Sequence, residues 1–236
     1  MQQILLKVAH SLSINQRKVA EVIGTFIVFA SGSVVIDVKI HGALGVPFIA
    51  LAPFVGVAIG VYLFGKISMA HFNPAVTVGY LITGHIRRIQ LVYYFAAEII
   101  GAILASIFVK YFIGNEAHLG ANSFNHSYLI SLVFGIEVLA SALLMAVILI
   151  VVYTKGLRGF SGIAIGGIVG LDISFLSFIS GASMNPARSL APALLSGSVS
   201  DLWLYWSATF VGTTIIAFAW CKKLIEKMKR EDNIKI

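Results

Sequence analysis

Six stretches of this 236-residue chain stay apolar for about twenty residues each: roughly 19–37, 44–65, 90–112, 128–153, 160–179 and 202–221. A helix of about 20 apolar residues crosses the hydrocarbon core of a bilayer. In lipid each backbone N–H and C=O must find its partner inside the protein, so such a chain folds as a bundle of spanning helices. Composition agrees, with 58% hydrophobic and 11% charged residues, against roughly 25% charged in a soluble chain. That balance excludes a disordered chain and an ordinary soluble enzyme. The net charge of +7 does not make a nucleic-acid surface, because the basic residues are spread between apolar runs instead of gathered on one face. Residues 1–18 hold only a short apolar run, Ile4 to Leu6, followed by Lys7, His10, Arg17 and Lys18. No signal-peptide core or cleavage site is expected there. One cysteine, Cys221, leaves no disulfide and no Cys-based metal site. No cofactor or metal is expected.

Two shorter apolar segments remain, near 67–84 and 181–196, each broken by Gly, Asn and Pro. They are too short to span and read as re-entrant half-helices, which exist only where protein or a water-filled cavity surrounds their non-helical backbone. The expected fold is therefore an all-α membrane protein of six transmembrane helices plus two re-entrant half-helices. Lys and Arg placement sets its orientation. With the N-terminus inside, the cytoplasmic side receives Lys7, Arg17, Lys18, Lys66, Arg87, Arg88, Lys155, Arg158 and six residues of the C-terminal tail, fourteen in all. The opposite side receives two, Lys39 and Lys110. Both termini are expected in the cytoplasm of a multi-pass protein of the cell membrane. Arg188 alone falls at membrane depth, inside the second re-entrant segment.

Asn-Pro-Ala occurs at residues 73–75 and again at 185–187, each time in a re-entrant segment. Each half opens with a glutamate at the start of its first span, Glu21 and Glu137, and the Glu-to-Asn separations are 52 and 48 residues. Each second span carries a Gly-x-x-x-Gly pair, Gly56/Gly60 and Gly166/Gly170, which lets helices cross closely. The chain divides into two three-span repeats, about 18–115 and 126–221, within a single domain over 1–236, with 222–236 a basic cytoplasmic tail. Three spans are odd, so the second repeat is inverted, which places a site near the bilayer midplane.

Asn is a favoured helix N-cap and Pro a favoured first helical residue. Asn73-Pro74-Ala75 and Asn185-Pro186-Ala187 thus read as two helix starts, aimed at each other by the inverted symmetry. Each start carries roughly +0.5 of an elementary charge, which repels cations. Free Asn73 and Asn185 amides would offer N–H donors to a passing oxygen. An unmade hydrogen bond in an apolar medium forfeits about 4–6 kcal/mol, while a barrier near 5 kcal/mol still allows roughly 10⁹ crossings per second. A few donors therefore keep water moving through a narrow pore. Held by its oxygen, a central water turns its hydrogens outward and breaks a proton-hopping chain.

At these residues the sequence resembles the aquaporin and glycerol-facilitator superfamily, the major intrinsic proteins. The resemblance covers about residues 18–221 and rests on His71-Phe72-Asn73-Pro74-Ala75-Val76-Thr77 and Asn185-Pro186-Ala187-Arg188-Ser189. It implies a homotetramer with one pore per subunit, in contact with the lipid bilayer, passing water and excluding ions and protons. It also implies that Glu21 and Glu137 hold the re-entrant backbones and that Arg188 lines the narrowest constriction. The other filter positions, counted from the motifs as in the family, fall at Pro53 or its neighbour Phe54, at Ile173 and at Ala182. Water-selective members resemble Phe, His, a small residue and Arg at these places. Ile173 and Ala182 imply a wider, more apolar ring that also admits small neutral solutes such as glycerol or ammonia. Ser189, Ala193 and Tyr205-Trp206 lean back toward the water-channel branch. Asp172 and Glu98 depart from the pattern; members often have Gln at the latter position. His71 is expected to bond its own loop or to sit at a pore mouth, and His118 and His126 to be solvated.

Two other classes share some of these features. Gly159-Phe160-Ser161-Gly162 matches a motif of intramembrane serine proteases. Activating that Ser needs a later His, and the six His (10, 41, 71, 85, 118 and 126) all precede it. The chain is therefore not expected to be an enzyme. A secondary transporter also uses inverted repeats, and Asp172, Glu98 and Arg188 are its candidate charged groups.

Overall fold

A computed structural model describes residues 14–40, 46–114, 116–154 and 156–233. Every regular element among them is helical. In order these are α1 (Ile14–Ile40), α2 (Val46–Ser68), α3 (Pro74–Ile82), α4 (Arg88–Phe112), α5 (Ile130–Tyr153), α6 (Ser161–Ser180), α7 (Pro186–Ser196) and α8 (Leu202–Asn233), with short 3₁₀ turns at Glu116–Gly120 and Arg158–Phe160. Among the described residues five segments are long and apolar enough to cross a membrane: Ile49–Ser68, Arg88–Phe112, Ile130–Tyr153, Arg158–Ser180 and Leu202–Lys223. The sixth, α1, has 27 residues and rises about 40 Å. The six spans fall where the apolar runs predict them. The half-helices α3 and α7 occupy the two interrupted segments. α8 runs past its span into the basic tail, and residues 222–233 contain no Gly or Pro to stop it.

The packing repeats between halves. α1 lies against α2 and α4, α5 against α6 and α8, and α2 against α6 across the middle. Each half-helix packs on the last span of the opposite half, α3 on α8 and α7 on α4. The two halves are thus interlocked, and neither re-entrant segment is buried by its own repeat alone.

Small residues set the spacing. A Cβ at Gly166 of α6 would overlap the backbone oxygen and ring of Phe54, and one at Gly162 would meet Tyr62 and the carbonyl of Ala58. Gly101 of α4 sits on the Val22 carbonyl of α1, and Gly212 of α8 on the Val138 carbonyl of α5. Without a hydrophobic drive between helices in lipid, such close approach supplies the packing energy.

Gly166→Val should therefore lower the thermal unfolding midpoint in detergent by the equivalent of about 1–3 kcal/mol of overpacking. Its neighbour Gly167, where an added Cβ meets nothing within 4 Å, should accept Val without a measurable change.

Candidate pore-forming site

Asn73 and Asn185 start α3 and α7 as the sequence predicts. Both are extended N-caps (φ −158° and −148°) with Pro at the first helical position. Asn73 Oδ1 accepts from the N–H of Ala75 at 2.9 Å and of Val76 at 3.4 Å. Asn185 Oδ1 accepts from Ala187 at 3.0 Å and Arg188 at 3.5 Å. The amide nitrogens then cross between halves. Asn73 Nδ2 donates to the Met184 carbonyl and Asn185 Nδ2 to the Phe72 carbonyl, both at 2.8 Å. The side-chain amides are thus not wholly free: each spends one N–H on the opposite loop. An amide NH₂ has two, so each Asn keeps a second.

The loops that carry these residues are held by buried carboxylates. Glu21 Oε1 accepts from the His71 N–H (3.0 Å) and Oε2 from the Phe72 N–H (2.8 Å). Glu137 Oε1 accepts from the Ser183 N–H (2.8 Å) and the Ser180 hydroxyl (2.9 Å), and Oε2 from the Met184 N–H (3.2 Å). Both glutamates are fully buried. The turns that they hold place non-glycine residues in left-handed geometry, at matching places: Ala70 and Phe72 (φ 50° and 51°), Ala182 and Met184 (φ 46° and 57°). Such residues persist only where surrounding contacts over-determine them.

Further bonds obey the same symmetry and were not read from the sequence. Tyr94 and Tyr205 each donate their hydroxyl, at 2.7 Å, to the carbonyls of Ser68 and Ser180. The Ser68 and Ser180 hydroxyls accept from the N–H of Ala70 and Ala182, both at 3.2 Å. His71 Nδ1 lies 2.8 Å from the Thr77 hydroxyl, and Ser183 bonds Ser189 in the corresponding place. A signal for these existed. Ser precedes each Asn by five positions, and a hydroxyl residue follows each by four.

Arg188 lies in the first turn of α7. Its Nη1 donates to the Gly120 carbonyl at 3.1 Å and to Asn122 Oδ1 at 2.6 Å. The same Asn122 oxygen accepts from Ser189 (3.1 Å), and Asn122 Nδ2 donates to the Gly181 carbonyl (3.0 Å). One amide thus ties the 116–122 connection, the end of α6 and the start of α7 around the guanidinium. Asn122 has no counterpart among the described residues of the first repeat, and no sequence signal marked it.

The other predicted filter residues lie on α2, on α6 and in the turn before Asn185. Ile173 and Ala182 share a buried apolar cluster with Val57 and Met184. Pro53 and Phe54 follow each other in α2, and the Phe54 side chain lies against Gly166 and Gly170 of α6. Asp172 is buried, and its Oδ2 has no hydrogen-bond partner among the described residues. His126 is exposed, as expected, at 67% of its side chain, and its Nε2 also lies 3.4 Å from Asp201 and its ring against Phe124. Among the described residues no group of three His, Cys, Asp or Glu is placed to hold a metal.

The family model for the major intrinsic proteins matches residues 8–220. The chain belongs to the major intrinsic protein family. Among curated members it is 37% identical to aquaporin NIP1-1 of Zea mays over 214 residues, 89% of this chain and 74% of the relative. It is 36% identical to nodulin-26 of Glycine max over 214 residues, 89% and 78% of the two chains. Among solved structures it resembles the aquaglyceroporin from Plasmodium falciparum, at 22% identity and a TM-score of 0.73 over 87% of this chain and 94% of that one. That likeness is one of fold.

Glu137→Ala should strip two buried backbone N–H groups and a hydroxyl of their acceptor, at about 1–3 kcal/mol each. Thermal unfolding in detergent should fall steeply. Glu137→Gln, with one accepting oxygen left, should fall in between.

Proposed function

We propose that this major intrinsic protein is a passive channel that conducts water and small uncharged solutes such as glycerol or ammonia and excludes ions and protons. The observation that carries the reading is the pair of Asn-capped helix starts bonded to each other's loops. It brings two positive helix ends and two remaining amide donors to one place between the repeats. A permeant water or hydroxyl can accept there, whereas a cation meets both helix ends and Arg188. The aquaporin names of its relatives agree with this reading.

Pro53, Ile173, Ala182 and Arg188 form the constriction in this reading. With the Phe54 side chain occupied against α6, Pro53 takes the pore side. A ring of Pro, Ile and Ala is wide and apolar, with Arg188 as its one cation and Asn122 as the residue that holds it. Such a ring suits glycerol as well as water. Repeats of about 18–115 and 126–221 make one channel domain. The outward apolar side chains, Leu63, Val92, Ile163 and Phe175 among them, contact lipid or neighbouring subunits of a homotetramer in the cell membrane, with both termini cytoplasmic.

Proteoliposomes under an osmotic gradient test this directly. Shrinkage should exceed that of empty liposomes for water and re-swelling should follow with glycerol, both unchanged when ion gradients are dissipated. Water flux equal to that of empty liposomes would sink the channel reading; flux that stops when an ion gradient is removed would favour a secondary transporter. Arg188→Val should raise glycerol permeability relative to water and admit a measurable proton leak.

A further inference from the structure

Glu98 has no part in the reading above, yet it stands directly behind the first motif. It lies on α4, one turn after Tyr94, and is fully buried. Its Oε1 accepts from the Thr77 hydroxyl at 2.6 Å. Asn73 and Thr77 are the cap and first turn of α3. The carboxyl therefore sits at the positive end of that half-helix. Its second oxygen, Oε2, is buried without a hydrogen-bond partner among the described residues.

The second repeat is built differently at this place. One turn after Tyr205 stands Thr209, whose hydroxyl donates at 2.6 Å to the Tyr205 carbonyl of its own helix. Ser189, the counterpart of Thr77, donates instead to the neutral amide of Asn122. The start of α7 thus has an amide and the Arg188 cation beside it, while the start of α3 has a titratable carboxyl. The bond from Thr77 is compatible with either form of that carboxyl. A proton on Oε2 leaves Oε1 free to accept, so ionisation needs no rearrangement. The charged and titratable groups nearest to it are Glu21 of α1, which acts on it directly, and Tyr94 one turn before it on α4; His71 of the loop bonds the same Thr77, and Arg17 of α1 lies beside Tyr94. Arg188 of α7 is turned away toward Gly120 and Asn122.

We propose that Glu98 sets the height of the cation barrier at the first motif. When neutral, it leaves the positive end of α3 facing the pore; when ionised, it offsets that end and lowers the barrier. The inference rests on the channel reading and gives it a pH-dependent selectivity. Water, being neutral, is little affected.

The test is potassium leak from proteoliposomes with equal pH on both sides, measured across a pH series, alongside osmotic water flux. The protein should leak little at acid pH, and the leak should rise through one titration step by about tenfold, the order of effect of a charge at a helix end. Glu98→Gln should keep water flux within about twofold, which also reports that it is folded, and hold the leak at the acid level at every pH. Thr77→Val removes the hydroxyl that donates to the ionised form and should move the step to higher pH. A flat leak in the unaltered protein, the same step in Glu98→Gln, or an unmoved step in Thr77→Val would each overturn the proposal. If the unaltered protein conducts no water, the channel reading itself has failed; normal water flux with a flat leak defeats only the role of Glu98.

Discussion

Two carboxylates buried at membrane depth hold this molecule together. Taking a charge out of water costs several kcal/mol, and Glu21 and Glu137 recover it by accepting consecutive backbone N–H groups from the turns before Asn73 and Asn185. Those turns are irregular backbone with no ladder of their own, and lipid would leave their N–H groups unpaired. Without the carboxylates there is no reason for the chain to stop midway, turn and start a helix. With them, two helix starts are fixed at one depth.

The cross-bonds between Asn73 and Met184 and between Asn185 and Phe72 depend on that placement. So does the exchange of half-helices, in which α3 rests on α8 and α7 on α4. Close crossings at Gly101, Gly166 and Gly212 bring the spans near enough for both. In the channel we propose, the positive ends of α3 and α7, the remaining amide hydrogens and Arg188 then surround one path. Among the described residues the symmetry breaks where the charged groups gather around that path. Asn122 and Arg188 have no counterparts in the first half, and Glu98 has none in the second.

Much of this was legible beforehand, for reasons that can be named. Span positions follow from apolar length, because lipid enforces it. The role of Asn-Pro at a helix start follows from backbone geometry. The anchoring of the two loops by Glu21 and Glu137 came by resemblance, and their hydrogen bonds supply its physical reason. Thr77, Ser189, Ser68 and Ser180 keep fixed offsets from the two Asn residues, yet small hydroxyl residues are too common in such a chain for those offsets to stand out. The contact of the exposed His126 with Asp201 could not be read because the two are 75 residues apart.

The sequence by itself determined the membrane class, the number of spans, the duplication and the residues that start the two half-helices. These depend on local length, periodicity and repetition, which a linear chain displays. Only the tertiary structure decided that each Asn spends one amide hydrogen on the opposite loop, that Phe54 is occupied against α6, and that Asn122 holds Arg188. Those facts join segments from 66 to 113 residues apart. No local rule relates such segments; their meeting is fixed by how six helices pack around two short ones.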